Sequence, residues 1–263
     1  MNTKSKPKNQ KSKKGIFIII SIILILFIIM FFLNKEEENK ISEPIILADT
    51  TVITQTPIID DTIENYQIGS TIKFGRYNWL ILDIVENRAK IISLEILEKR
   101  QYHDTDTPIT WASSNIRSYL NNDFYDSFND DEKARIIATT INNEDNLWFG
   151  INAGPPTDDN IFLLSISEVV KYLGDSEQLI ERPRNARIIN DQYNEKRIAS
   201  YNEAASWWWL RSPGSFGFRA ARVDSDGSID MSSNHIYDTD GGIRPAMWFF
   251  LNTEEKQSTQ RYE

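Results

Sequence analysis

The stretch from residue 207 to residue 248 constrains this chain most. It opens with Trp207-Trp208-Trp209-Leu210-Arg211-Ser212-Pro213-Gly214 and closes with Gly241-Gly242-Ile243-Arg244-Pro245-Ala246-Met247-Trp248. Side chains alternate faces along a strand, so Trp207 and Trp209 share one face while Trp208 and Leu210 share the other. A strand that is bulky and apolar on both faces belongs in a sheet interior. Pro213-Gly214 ends it by removing an amide donor and permitting unusual backbone angles. Between the two ends, residues 220 to 223 and 228 to 231 read as strands joined by the turn Asp224-Ser225-Asp226-Gly227, a β-hairpin.

The run Trp-Trp-Leu-Arg-Ser-Pro-Gly, then Ala-x-x-Val with a Gly turn, then Gly-Ile-Arg-Pro-Ala, resembles the closing half of a bacterial domain family of unknown function (DUF6273-like). Phe74-Gly75-Arg76-Tyr77-Asn78-Trp79, residues 111 to 128 and Ile161-Phe162-Leu163-Leu164-Ser165 are also similar to it, so the resemblance covers roughly residues 67 to 252. More distantly the pattern resembles the C-type-lectin-like fold of formylglycine-generating enzymes and of the variable proteins of diversity-generating retroelements. What this implies is a fold; fold alone assigns no activity.

The N-terminus points to a membrane. Residues 1 to 14 hold six lysines and no acid, and residues 16 to 33 are apolar except for Ser21. Eighteen helical residues reach about 27 Å, close to the hydrocarbon thickness of a bilayer. Lysines before the span and Glu36-Glu37-Glu38 after it place the N-terminus in the cytoplasm. The apolar run is long for a cleavable signal peptide and no small-x-small site follows it directly, so an uncleaved single-pass anchor is expected. The predicted organisation is a basic tail (1–15), a transmembrane helix (16–33), an acidic stalk (34–66), an extracellular domain (67–252) and a polar tail (253–263). The stalk carries eight acids against two lysines, with Pro44 and Pro57 breaking helix.

Net charge is −9, and without the six N-terminal lysines it is −15. Such a surface repels phosphate backbones, so nucleic acid is not an expected partner. With no cysteine, the exported domain must be held by its core alone, and its length suffices for that.

Within the domain, residues 70 to 74, 79 to 85 and 89 to 94 predict a three-stranded meander. Thr110 is the expected N-cap of a helix beginning at Trp111, followed by either two helices or one kinked helix. Asp130-Asp131-Glu132 begins another helix. Residues 136 to 141 are expected to form one strand, 142 to 159 a loop, and 161 to 164 a buried strand. Ser165 and Glu168 have capping-box spacing, and Gly174 is placed to end that helix by an αL cap.

Candidate chemistry is sparse. Asp224-Ser225-Asp226-Gly227 and Asp238-Thr239-Asp240-Gly241 could present carboxylates to calcium, but Asp and Gly are also what turns favour, and the turn reading is preferred. Arg211 and Arg244 either tie the closing strands to neighbouring acids and carbonyls or recognise an anionic ligand. Trp79, Trp208, Trp209 and Trp248 are expected in the core. Trp148 and Phe149 in one loop, and Phe216 and Phe218 in another, are candidates for an exposed contact surface, against a packed alternative. The copper site that the formylglycine-generating resemblance implies needs cysteines, which this chain lacks, and its two histidines are too few for a facial iron triad. No catalytic residue, metal or cofactor is therefore assigned.

The expected whole is an α+β, C-type-lectin-like domain of mostly antiparallel strands behind one transmembrane helix. Its expected function is non-catalytic binding of an extracellular protein or glycan through Trp148, Phe149, Phe216, Phe218, Arg211 and Arg244. The alternatives are an enzyme acting on the cell envelope and a structural or regulatory subunit of a membrane complex.

Overall fold

In this computed structural model, residues 66–251 are described. The expected basic tail, span, polar tail and all of the stalk but Tyr66 lie outside them. Among the described residues no helix is long and apolar enough to cross a membrane. The described residues fall in one unit of the chain, residues 59–263.

Short strands dominate. The predicted meander forms as β1 (Thr71–Phe74), β2 (Tyr77–Val85) and β3 (Arg88–Ser93), followed by β4 (Glu98–Lys99). Next come β5 (Ile136–Ile137), β6 (Thr139–Ile141), β7 (Thr157–Asp159), β8 (Ile188–Ile189), β9 (Ala199–Tyr201) and β10 (Ala204–Ser206). The signature stretch supplies β11 (Trp208–Pro213), β12 (Arg219–Val223), β13 (Ile229–His235), β14 (Gly242–Ile243) and β15 (Ala246–Phe250). One sheet has the order β1-β2-β3-β15-β5 and the other β4-β14-β11-β12-β13-β8, with β9-β10 and β6-β7 as separate ribbons. Among the described residues only β11 and β14 pair in parallel; the other pairings are antiparallel. With few and short helices, the architecture is α+β.

The signature motifs occupy the seam between the sheets. All six residues of β11 are buried, as expected for an interior strand with two apolar faces. The Gly-Ile-Arg-Pro-Ala run crosses from one sheet to the other: Gly242-Ile243 is β14 and Ala246 begins β15. At the crossing the Pro245 carbonyl accepts from Ser93 N–H at 2.8 Å, and Arg244 Nε donates to the Ser93 carbonyl at 2.8 Å. Gly241 has a steric reason: a Cβ there would lie 1.9 Å from the Trp209 indole nitrogen, so only hydrogen fits against the ring.

Several expectations are corrected. Residues 136 to 141 do not form one strand: β5 joins the first sheet and β6 pairs with β7, so part of the expected 142–159 loop is strand. Residues 161 to 164 are fully buried but make a single bridge, Phe162 to Ala246. Phe162 exchanges both backbone hydrogen bonds with Ala246 of the first sheet, while Leu163 O and Leu164 O accept from the Arg211 side chain and N–H in the other. The segment is thus a wedge between sheets, which leaves no continuous neighbour for strand pairing. Thr110 makes no side-chain cap; Ser114 does, accepting from Arg117 N–H at 3.3 Å, and the helix Asn115–Tyr119 runs on into a π-turn, Leu120–Phe124. Gly174 ends its helix at φ 120°, ψ 128°, not in αL. The capping boxes at Ser165/Glu168 and at Asn129/Glu132 are both formed.

Candidate functional site

The six residues singled out from sequence occupy three different environments. Arg211 and Arg244 are buried in the seam. Arg211 donates to the Glu168 carboxylate and to Leu163 O. Lys90 Nζ reaches the other oxygen of Glu168 at 2.6 Å. Burial alone would raise the Glu168 carboxyl, but Arg211 and Lys90 beside it, with the Ser165 N–H, outweigh burial and hold it down at about 2. Among the described residues Arg244 has no acid partner. It donates to Ser93 and Leu94 carbonyls and lies 5.0 Å from the Trp208 ring centroid, while burial pulls its guanidinium down to about 10. Both guanidiniums therefore hold internal partners.

Trp148 is buried, which favours the packed alternative over an exposed contact surface. Its indole N–H donates to Leu179 O at 2.9 Å, and Arg182 lies over both its ring and that of Phe149, which is half-buried. These partners lie more than thirty positions along the chain, so nothing local signals the burial. Trp248, expected in the core, is half-buried and lines a shallow cavity of about 260 Å³ with Val85, Arg88, Ile137 and Thr139.

Phe216 and Phe218 are different. Phe216 is 53% exposed, and its ring lies parallel to Phe218, centroids 5.4 Å apart at an interplanar angle of 1°. Phe218 stacks on His235 (5.6 Å, 17°), and His235 meets Tyr237 at 5.2 Å. Tyr237 is 41% exposed. Four rings from two segments thus make a continuous column at the surface. Phe216-Gly-Phe218 and His235-Ile-Tyr237 share a spacing of two, and the turns that carry them bring both rings of each pair together.

The backbone beneath this ledge is pinned. Ile236, buried between the rings' two carriers, donates to Phe218 O at 3.2 Å and accepts from His103 N–H at 2.8 Å. Ile109 N–H donates to Gly217 O at 2.9 Å, bringing residues 103 to 109 alongside. Upstream, β13 carries a bulge: Arg222 faces Asp230 but Ala220 faces Asn234, so two extra residues are accommodated. The Asp230 carboxylate fixes it by accepting from Ser232 N–H, Ser232 Oγ and Ser233 N–H, all at 2.8–2.9 Å. Ser233 pays in backbone strain, at φ 39°. Such bulges re-aim the strand that follows, here the strand end bearing His235. The buried Asn146 amide ties the ledge down from below, donating to Pro213 O (2.8 Å), Gly214 O (3.3 Å) and Met231 O (2.9 Å).

Acids border the rings. Asp106 Oδ1 lies 3.5 Å from His235 Nδ1, and Asp104 Oδ1 lies 3.7 Å from His103 Nε2; both carboxylates are more than half exposed. Asp238 follows Tyr237, its N–H donating to His235 O. The two Asp-x-Asp-Gly turns direct carboxylates to protein partners: Asp226 accepts from Ser228, Asp224 pairs with Arg222 at 2.7 Å, and Asp240 accepts from Trp207 Nε1.

Residues 86–250 match the model of a domain of unknown function, DUF6273. The chain belongs to this family. No curated protein and no solved structure matches it. In this DUF6273 member the matched span contains both signature motifs, the buried charge cluster and every residue of the ledge. β1 and β2 precede it and extend the first sheet.

Proposed function

We propose that this DUF6273 domain is a non-catalytic binding module, displayed outside the cell by the N-terminal anchor and acidic stalk. Its contact surface is the ring column of Phe216, Phe218, His235 and Tyr237. The observation that carries this reading is the column itself: aromatic surface left exposed on a backbone that bulge, Asn146 and three segments hold in place. Large rings give contact area at small entropic cost when the scaffold is rigid. A C-type-lectin-like reading of the fold fits this arrangement, since its long irregular connections are where such surfaces sit. The membrane reading rests on the apolar run at 16 to 33 and the lysines before it.

The test is a glycan and peptide array probed with the full chain in mild detergent, alongside Phe216→Ala/Tyr237→Ala. Ledge-dependent binding requires that the variant lose its signals while its melting temperature stays within about 3 °C, since exposed substitutions usually cost little. Undiminished binding by the variant would remove the ledge from consideration. For the anchor, protease added outside intact cells should digest residues 67 to 252 and spare the N-terminus; a mature chain starting after Leu33 would overturn it.

A further inference from the structure

We propose that the ligand of the ledge is a cationic polypeptide segment, with lysine or arginine next to apolar side chains. This rests on the ledge being the binding surface and names what it takes. Two independent features of the same surface converge on it. The first is the exposed faces and edges of Phe216 and Tyr237. Aromatic faces attract cations through the ring quadrupole, and the methylene stems of lysine and arginine lie well on rings. The second is the charge around them. Asp106 lies 3.5 Å from His235 of the column, Asp104 lies beside His103 on the segment alongside, and Asp238 follows Tyr237 in the chain. None of the three is paired with a lysine or arginine among the described residues. The one strong cation at the ledge, Arg219, is already engaged: it donates to Ser233 O at 3.1 Å and lies 5.8 Å from the Phe216 centroid.

The contrast with the interior supports the assignment. Asp224, Glu168, Asp159 and Asp191, where acids stand near aromatic or apolar packing, each have an arginine within ion-pair distance. Asp106 lacks such a partner while its carboxylate sits against the exposed ring column. A side chain whose stem covers Tyr237 or His235 would carry its charge to Asp106, whose carboxylate already touches the edge of the column. An anionic polymer would meet the Asp106 carboxylate at the column and the net negative charge of the chain around it, which costs affinity and slows encounter. A neutral sugar would use the rings and leave the carboxylates without their match.

The experiment measures fluorescence anisotropy with the full chain in mild detergent and three labelled probes of about ten residues or equal mass. They are a peptide alternating lysine and phenylalanine, its glutamate counterpart, and a neutral chito-oligosaccharide. The lysine peptide should bind at least about tenfold more tightly than the glutamate peptide, and several-fold more weakly when salt rises from about 50 to about 500 mM. Because a chain of net charge −9 attracts cations generally, two variants localise the effect. Phe216→Ala/Tyr237→Ala should weaken the lysine peptide at least about tenfold, and Asp104→Asn/Asp106→Asn/Asp238→Asn at least about fivefold, both with melting within a few degrees of the parent. Equal binding of the two peptides, or full binding by the Asn variant, would overturn the cationic assignment. Binding of the oligosaccharide alone, lost in the Phe216/Tyr237 variant, would overturn it while leaving the ledge as the site. Binding of any probe that survives both variants would overturn the ledge itself, as would no binding of any probe.

Discussion

The seam and the ledge are built from the same residue types, aromatic rings with arginines and acids, and end in opposite states. In the seam, Trp208 and Trp209 are fully buried, and Glu168 is clasped by Arg211 and Lys90. Low dielectric makes an unmatched charge there costly, so each is paired or hydrogen-bonded. On the ledge, Phe216 and Tyr237 remain exposed and their neighbouring acids unmatched by strong cations. Water tolerates that arrangement, so nothing in folding requires it. Composition therefore does not separate scaffold from contact surface; burial of the rings and ion pairing of the acids do.

The hardest break of this comparison is Trp209→Ala. Its indole donates to Arg100 O at 2.9 Å, packs against Tyr102 at 5.8 Å and fills the space over Gly241. Removing such a ring costs about 3 to 5 kcal/mol, so thermal melting should fall by roughly 10 °C or more at a few degrees per kcal/mol. A shift of only a degree or two would mean that the seam is not the core.

Next comes the buried charge cluster. Glu168→Gln leaves Lys90 and Arg211 uncompensated and should cost about 3 to 5 kcal/mol by urea denaturation. The wild-type pH dependence has a definite sign. The Glu168 carboxyl titrates at about 2 in the folded state, below its unfolded value of 4.5. Its contribution is therefore complete above the unfolded value and is lost as pH falls from there through about 2, on the order of 3 kcal/mol in total. Glu168→Gln should remove that acid-limb slope; an unchanged slope would assign acid sensitivity to other carboxylates.

Much of the seam is legible in sequence and little of the ledge is. Period-two apolarity marks β11, Ser165-x-x-Glu168 marks its helix start, and the Asp224–Gly227 turn marks the hairpin; each is a short-range signal. The ledge depends on contacts between distant positions. Phe218 finds His235 through the β12–β13 pairing, and the bulge that aims His235 is held by Asp230 and Asn146, neither conspicuous locally. The converse case is Trp148: its loop setting left exposed and packed readings both open, and Leu179 O and Arg182, distant in sequence, decide for the packed one. Residues 161 to 164 show a third limit, since fully apolar burial suits a wedge between sheets as well as a strand.

On the ledge side, effects on stability should be small. Phe216→Ala loses one stacked pair, worth about 0.5 to 1.5 kcal/mol at most, and should move melting by only a few degrees. A loss as large as that of Trp209→Ala would return the rings to the core. Smallest of all is calcium. With Asp224 on Arg222 and Asp226 on Ser228, adding millimolar Ca²⁺ after chelation should leave melting unchanged. A cation held tightly by the folded state would instead add about 2.7 kcal/mol at 100 times its dissociation constant; a rise abolished by Asp224→Asn would place one there.

The most direct measurement of the division between scaffold and surface is hydroxyl-radical footprinting of the full chain, free and saturated with the lysine–phenylalanine peptide. Oxidation of Phe216, Tyr237 and His235 should fall on binding, while half-buried Trp207 and Trp248 react as before. Protection of Trp248 or Trp207, with Phe216 and Tyr237 unchanged, would contradict the ledge as the contact surface.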